Sequence, residues 1–146
     1  MEIAPQPFMS VGRICVRTVH VAEPGENARE AARRMASKGV GTLIVLDHDR
    51  RPVGFVTDRD LMFHCVAEGR DPGRTTLETV MSAPVVTAAE DLPIEDALVR
   101  MAETRVRRLA VVDAAGRLAG LLALDDVLEL FAEEFATIGR LMRGTG

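Results

Sequence analysis

The segment Gly54-Phe55-Val56-Thr57-Asp58-Arg59-Asp60-Leu61 joins a predicted buried strand to a predicted helix. We expect the strand over 52–56 and the helix from about Asp58. A helix start leaves backbone N–H groups without intrahelical partners and carries the positive end of the helix dipole, so it suits a phosphate. The Thr57 hydroxyl can donate to that phosphate, and the Asp60 carboxylate can accept from sugar hydroxyls. The segment therefore suggests a nucleotide site.

The same two side chains also match a helix cap. Thr-x-x-Asp before an apolar run is a capping box, in which Thr57 accepts from the first turn and Asp60 reaches back to a backbone N–H. The short motif is compatible with both roles, and it leaves the choice between them open.

A repeat runs through most of the chain. Aligning Gly54 with Gly120 sets an offset of 66 residues, and many further positions then coincide without a gap. The matches include both apolar and charged positions, so they indicate two copies of one supersecondary unit. The further matching pairs are Val19 and Val85, Ala31 and Ala97, Arg34 and Arg100, Met35 and Met101, Val40 and Val106, Leu43 and Leu109, Val45 and Val111, Asp47 and Asp113, Arg51 and Arg117, and Asp60 and Asp126.

Each copy is predicted to fold in the order strand, helix, strand, strand, helix. The first strands are expected over 17–21 and 84–87, and a helix capped by Asn27 is expected to end near Gly39. The closing helix of the second copy begins near Asp125 and needs a surface to cover, on this chain or on a second copy. Its apolar stripe comprises Leu128, Phe131, Phe135, Ile138 and Met142.

Composition excludes several classes of function. A net charge of -4 and the absence of Trp and Tyr argue against nucleic-acid binding. Two lone cysteines, no signal-like start and no long apolar run predict a cytoplasmic protein without a membrane segment. The histidines His20, His48 and His64 have no evident Cys, Asp or Glu partners, so we expect neither a catalytic site nor a metal site.

The repeat and its motifs resemble the cystathionine-β-synthase (CBS) domain pair, in its small free-standing bacterial form. The resemblance is carried by the Gly-x-x-Thr-Asp-Arg-Asp segment in the first copy and by 106–113, Val-Arg-Arg-Leu-Ala-Val-Val-Asp, in the second. It implies a tandem α/β fold of two β-α-β-β-α repeats packed about a pseudo-twofold axis, with two clefts between them. We expect an N-terminal segment over 1–12, CBS domains over 13–76 and 77–135, and a C-terminal helical extension over 136–146.

The resemblance also implies an adenosine-containing ligand such as AMP, ADP, ATP, S-adenosylmethionine or NAD. In the first cleft, Thr57 would bind phosphate and Asp60 the ribose. The other residues implicated there are Phe55 beneath the base, Met81, Val86 and Val106 around it, and Arg59, Arg107 and Arg108 as candidate phosphate ligands.

The second cleft departs from the family pattern, because Ala123 stands where Thr57 stands in the first copy. A lost charge-assisted hydrogen bond costs roughly 1.5 to 3 kcal/mol, so we expect this cleft to be weak or empty. Its expected residues are His20, Val40, Gly41, Leu121 and Asp126.

Two functions follow from the sequence. The protein is either a regulatory sensor that binds an adenosine-containing small molecule, or a ligand-free dimeric interaction module with vestigial clefts. A homodimer is expected under both, with no resident cofactor. A further protein must receive the signal, and nothing in the sequence identifies it.

Overall fold

The computed structural model describes residues 1–4 and 9–144 and contains two three-stranded sheets. Within each sheet the first two strands are parallel and the last two are antiparallel. This confirms the predicted α/β class and the repeated order of elements. The strands are β1 (Val21–Ala22), β2 (Thr42–Leu46) and β3 (Pro52–Thr57) in the first sheet, and β4 (Thr87–Ala89), β5 (Arg108–Val112) and β6 (Leu118–Ala123) in the second.

The helices follow the predicted order, with two additional short ones. The Asn27 side chain caps the first long helix by accepting from the Glu30 N–H at 2.9 Å, and Gly39 ends it at φ +66°. The helices are α1 (Val11–Ile14), α2 (Ala28–Lys38), α3 (Asp58–Leu61), which continues as a π-helix over Met62–Val66, then α4 (Leu77–Val80), α5 (Ile94–Thr104) and α6 (Leu124–Gly144), with a 3₁₀ turn at Pro72–Arg74.

The predicted positions of the first strand in each repeat were wrong by several residues. The predictions were 17–21 and 84–87, whereas β1 and β4 begin at Val21 and Thr87. Each strand pairs in parallel with its own central strand, Val21 opposite Ile44 and Thr87 opposite Ala110, and the carbonyls just before them, of His20 and Val86, accept from the same central strands. Val16 and Ser82, five residues before each strand, pair with the other repeat.

Hydrogen bonds reproduce the 66-residue repeat. Arg34 donates to the Val21 carbonyl at 2.7 Å, and Arg100 donates to the Thr87 carbonyl at 2.7 Å. The Asp47 carboxylate accepts from two backbone N–H groups of its turn, and Asp113 does the same in the second copy. Equivalent positions therefore have equivalent partners.

The two repeats exchange their leading segments. Val16, ahead of the first repeat, pairs with Leu121 of the second, and Ser82, ahead of the second, pairs with Phe55 of the first. Helix α1 accordingly places Val11 in the core of the second repeat, and α4 places Leu77 and Val80 in the core of the first. The reciprocal exchange joins the repeats through both cores and generates the pseudo-twofold relation.

Most of helix α6 is exposed on the surface of the protein. It has 21 residues, which is about 32 Å at 1.5 Å per residue, and only Val127 on it is buried. The apolar residues Leu128, Phe135, Ile138 and Met142 are at least half exposed, with Phe135 at 72%. In the described part of the chain, no helix is both long and apolar enough to cross a membrane.

Candidate functional site

The turn from β3 into α3 forms the capping box that the sequence allowed. The Thr57 side-chain oxygen accepts from the Asp60 N–H at 3.0 Å, and the Asp60 Oδ2 accepts from the Thr57 N–H at 2.9 Å. The Asp58 N–H donates to the Gly41 carbonyl and the Arg59 N–H to the Asp58 carboxylate. The first-turn N–H groups that were expected to be free for a phosphate are therefore already paired.

Capping leaves part of each side chain available. The Thr57 oxygen is an acceptor in the cap, so its own hydrogen can still be donated outward. The second Asp60 oxygen, Oδ1, faces the Ser82 hydroxyl at 3.4 Å. Both residues are half-buried, which keeps them open to a ligand from one side. Cap and ligand contact can therefore coexist at this helix start.

The Phe55–Ser82 pairing brings two predicted first-cleft residues together. Phe55 donates to the Ser82 carbonyl at 3.0 Å and accepts from the Ser82 N–H at 2.8 Å. Met81, the neighbour of Ser82, packs against Gly54 and the first core. Ser82 was not among the predicted residues, because its place beside Asp60 depends on the exchanged segment and no local motif marks it.

The other predicted first-cleft residues have different neighbours. Val86 and Val106 are half-buried against the core of the second repeat. The Arg59 guanidinium lies over the Phe63 ring, 5.0 Å from its centroid, in a cation–π contact. The hydrogen-bond partners of the Thr57 and Asp60 side chains in the described residues are each other's backbone and the Ser82 hydroxyl.

Two of the predicted arginines, at the start of β5, lie beside the start of α6. Arg107 and Arg108 are exposed and line a cavity of about 250 Å³ with Ala123, Leu124 and Asp125. The Leu124 N–H donates to the Arg107 carbonyl at 2.9 Å. The equivalent hydrogen bond in the first repeat runs from the Asp58 N–H to the Gly41 carbonyl. Ala123 has no hydroxyl, so this helix start has no counterpart of the Thr57 cap.

The second cleft contains an open cavity of about 290 Å³ between the repeats. His20, Val40 and Gly41 line it from the first repeat, and Leu121 lines it from the second. Arg108 also lines this cavity, although it was assigned to the first cleft. Asp126 is on the first turn of α6 and is half-buried, but it is not part of the lining.

Two observations concern the reactive and metal-ligating side chains of the described residues. Burial raises the pKa of the Cys15 thiol above its ordinary value, which disfavours a reactive thiolate. Within residues 1–4 and 9–144, no three His, Cys, Asp or Glu side chains are grouped closely enough to hold a metal ion. The groups that line the second cleft and the adjoining cavity are the guanidinium groups of Arg107 and Arg108, the Asp125 carboxylate, the His20 imidazole and apolar side chains.

Two segments of the chain, 11–67 and 77–133, each match the CBS domain family. The protein therefore belongs to the CBS domain family and contains two CBS domains. A protein of Methanopyrus kandleri is 33% identical over 135 residues, which are 92% of this chain and 69% of that protein.

Two solved CBS structures are similar to this fold. The CBS domain pair of protein MJ0100, in complex with 5-methylthioadenosine and S-adenosyl-L-methionine, gives a TM-score of 0.75 at 25% identity and covers 88% of this chain and 99% of its own. CBSX2 in complex with AMP gives a TM-score of 0.70 at 28% identity and covers 85% of this chain and 96% of its own.

Proposed function

We propose that this protein is a regulatory module that binds an adenosine-containing ligand in a cleft between its two CBS domains. The observation that carries the proposal is the cavity of about 290 Å³ to which both repeats contribute side chains. The similar structures with AMP and with S-adenosyl-L-methionine are complexes with ligands of this class. A ligand held by both repeats shifts their equilibrium arrangement if it binds one arrangement more tightly than another.

The second cleft is the better candidate for the primary site. It has the open cavity, and Arg107 and Arg108 lie beside the adjoining start of α6. In the first cleft, Thr57 and Asp60 already share two hydrogen bonds in the cap. We therefore propose the second cleft before the first, which reverses the order of affinity that Ala123 suggested. Asp126 lies outside the lining of the cavity, on the first turn of α6, so it would reach the ribose only of a ligand that extends from the cavity to that turn.

The charge of the site favours a ligand that carries phosphate. The guanidinium groups of Arg107 and Arg108 suit phosphate oxygens, because their planar N–H donors match them in pairs. The same two cations oppose the positively charged sulfonium of S-adenosylmethionine. We expect AMP, ADP, ATP or NAD to bind more tightly than S-adenosylmethionine.

Isothermal titration calorimetry with these five ligands tests the proposal. Asp60→Asn and Asp126→Asn form a matched pair, since they lie at equivalent positions of the two repeats and each keeps its shape while losing its charge. We expect Asp126→Asn to weaken binding by roughly 10-fold to 100-fold, because a hydrogen bond to a charged group contributes about 1.5 to 3 kcal/mol. Asp60→Asn should change it less.

The two parts of the proposal fail separately. If Asp60→Asn abolishes binding and Asp126→Asn does not, the primary site is the first cleft and the function stands. If none of the five ligands binds wild-type protein at millimolar concentration, the nucleotide function is wrong.

A ligand-free interaction module is the second candidate function. It is favoured by one observation, the exposed apolar face of α6, which nothing in the described part of the chain covers. In that case titration calorimetry detects no heat of binding for any of the five ligands, while the protein still associates with itself.

A further inference from the structure

A cavity of about 570 Å³ lies where β1 and β2 end, away from the two clefts. Val21, Ala22 and Leu46 form its apolar side. It has no lining residue in common with the cavity of the second cleft, in the described part of the chain. Strands β1 and β2 are parallel and are joined through α2. Small ligands of open α/β sheets bind outside the carboxyl ends of parallel strands, so this is a suitable place for one.

Two polar side chains at this cavity serve the fold, because the second repeat has both of them. Arg34 donates to the Val21 carbonyl at 2.7 Å, and Asp47 Oδ1 accepts from two backbone N–H groups of its own turn at 2.9 Å. Arg100 and Asp113 make the same hydrogen bonds in the second repeat.

Four other titratable side chains at the cavity occur only in the first repeat. They are Glu23, Glu26, His48 and Arg50. The residues 66 positions later are Ala89, Leu92, Ala114 and Gly116. The second sheet forms the same strands and the same turn without these polar groups. The fold therefore does not require them, and they are available for another role.

Arg50 has a backbone conformation that favours glycine. Its φ is +65°, and the equivalent turn position in the second repeat is Gly116, at φ +80°. A side chain at positive φ is strained, so the turn would be more stable with glycine here as well. The Arg50 side chain is exposed at the cavity and has no ion-pair partner within residues 1–4 and 9–144. An arginine that is costly to the turn and unpaired points to a ligand.

Both signs of charge remain at the cavity once its internal ion pair is set aside. Glu26 and Arg34 neutralise each other. The Glu23 carboxylate and the second oxygen of Asp47 are left as acceptors, and the Arg50 guanidinium is left as a donor. Carboxylates bind an ammonium group, and a guanidinium binds a carboxylate through paired N–H donors. A ligand with one group of each sign on an aliphatic body therefore complements the cavity.

We propose that this cavity binds a free α-amino acid with an aliphatic side chain, such as leucine, isoleucine or valine. Glu23 and Asp47 bind its ammonium group, and Arg50 binds its carboxylate. Its side chain lies against the apolar ends of β1 and β2. The site belongs to the first repeat alone, so it does not depend on the nucleotide proposal.

Isothermal titration calorimetry without nucleotide tests the site with three related probes. L-Leucine has both charged groups, 3-methylbutylamine lacks the carboxylate, and 4-methylpentanoate lacks the ammonium group. We expect a leucine Kd between about 10 μM and 1 mM, because a ligand of this size has few atoms with which to bind. Each of the other two probes should bind at least about 10-fold more weakly, because it loses a charge-assisted contact.

Three variants locate the site on the protein. Arg50→Asn removes the guanidinium and keeps a residue that tolerates positive φ. Arg105→Asn is its matched control, because Arg105 is also exposed, has φ +58° and does not line the cavity. Glu23→Gln keeps the shape of the side chain and removes its charge. We expect Arg50→Asn and Glu23→Gln to raise the leucine Kd at least about 10-fold, and Arg105→Asn to leave it unchanged. Thermal melts verify that all three variants are folded.

Three results would overturn the proposal. The first is that neither leucine, isoleucine nor valine binds wild-type protein at concentrations up to about 5 mM. The second is that 3-methylbutylamine or 4-methylpentanoate binds as tightly as leucine, because the cavity would then not recognise both charged groups. The third is a folded Arg50→Asn variant that binds leucine like wild type.

Discussion

Gly120 lies so close to Cys15 that a Cβ atom on Gly120 would stand 2.8 Å from the Cys15 Sγ. The same Cβ would also lie 2.8 Å from the Val16 carbonyl oxygen. This approach arises because the segment around Cys15, which precedes the first repeat in the sequence, lies against β6 of the second repeat. Gly54 has the same relation to Met81, so the glycines that align the repeats are also the points where the exchanged segments touch the sheets.

Gly120→Ala should therefore lower stability more than Gly54→Ala. At Gly120 the new methyl meets a backbone carbonyl, which moves only with its segment, whereas at Gly54 it meets the flexible Met81 side chain. We expect a cost of about 1 to 3 kcal/mol for Gly120→Ala by chemical denaturation. Gly25→Ala is the control, since a Cβ there has no neighbour within 4 Å. Equal stability of all three variants would contradict the close approach.

Loss of the Thr57 hydroxyl should destabilise the protein even without ligand. Thr57→Ala leaves the Asp60 N–H without its cap, so we expect a loss of about 1 to 2 kcal/mol. Thr57→Ser keeps the oxygen and should unfold within about 0.5 kcal/mol of wild type. A thermal melt of both variants measures the difference, and an Ala variant as stable as the Ser variant would show that the cap is not formed.

Ala123→Thr should supply the missing cap of the second repeat. Asp126 already occupies the position that Asp60 holds in the first capping box, and Thr is compatible with the end of β6. We expect a gain of about 0.5 to 1 kcal/mol, seen as a midpoint about 3 °C higher. Ala123→Val, with the same shape but no hydroxyl, is the control and should give no such gain.

The Glu26–Arg34 ion pair should make stability depend on pH. The hydrogen bond from Arg34 holds the pKa of Glu26 below its ordinary value of 4.5. A carboxyl whose folded pKa is depressed stabilises the fold above its unfolded pKa and loses that contribution as the pH falls through the folded value. We therefore expect the pair to stabilise the protein at pH 7 and to lose this effect below about pH 4.5.

The Glu26→Gln variant measures this contribution. At pH 7 it should be about 1 kcal/mol less stable than wild type, and the difference should shrink steadily from pH 5 towards pH 2. Glu23→Gln, at an exposed neighbour on the same loop, is the control, because it removes one carboxylate and leaves the ion pair of Glu26 with Arg34 in place. A difference that is constant over this range would argue against the ion pair.

The fold was predictable from local patterns because they occur twice. The helix that ends at Gly39 and its cap at Asn27 depend on neighbours within a few residues, and both were confirmed. The first strands were misplaced, because Val16 and Ser82 pair with the opposite repeat. That pairing joins residues far apart in sequence, and no periodicity in 17–21 or 84–87 distinguishes it from pairing within a repeat.

The candidate site was likewise predictable where it depends on local sequence and unpredictable where it depends on contacts between distant residues. Sequence alone established the repeat, the α/β class, the family likeness and the Thr57–Asp60 capping motif, because each depends on residue order or on contacts within a few positions. Tertiary structure determined that Ser82 faces Asp60, that Arg108 lines the cavity with His20, and that the α6 stripe is exposed except at Phe131, which packs against the second core. The first two relations depend on how the repeats pack together through the exchanged leading segments, which bury Val11 and Leu77 in the opposite cores, so only long-range packing specifies them.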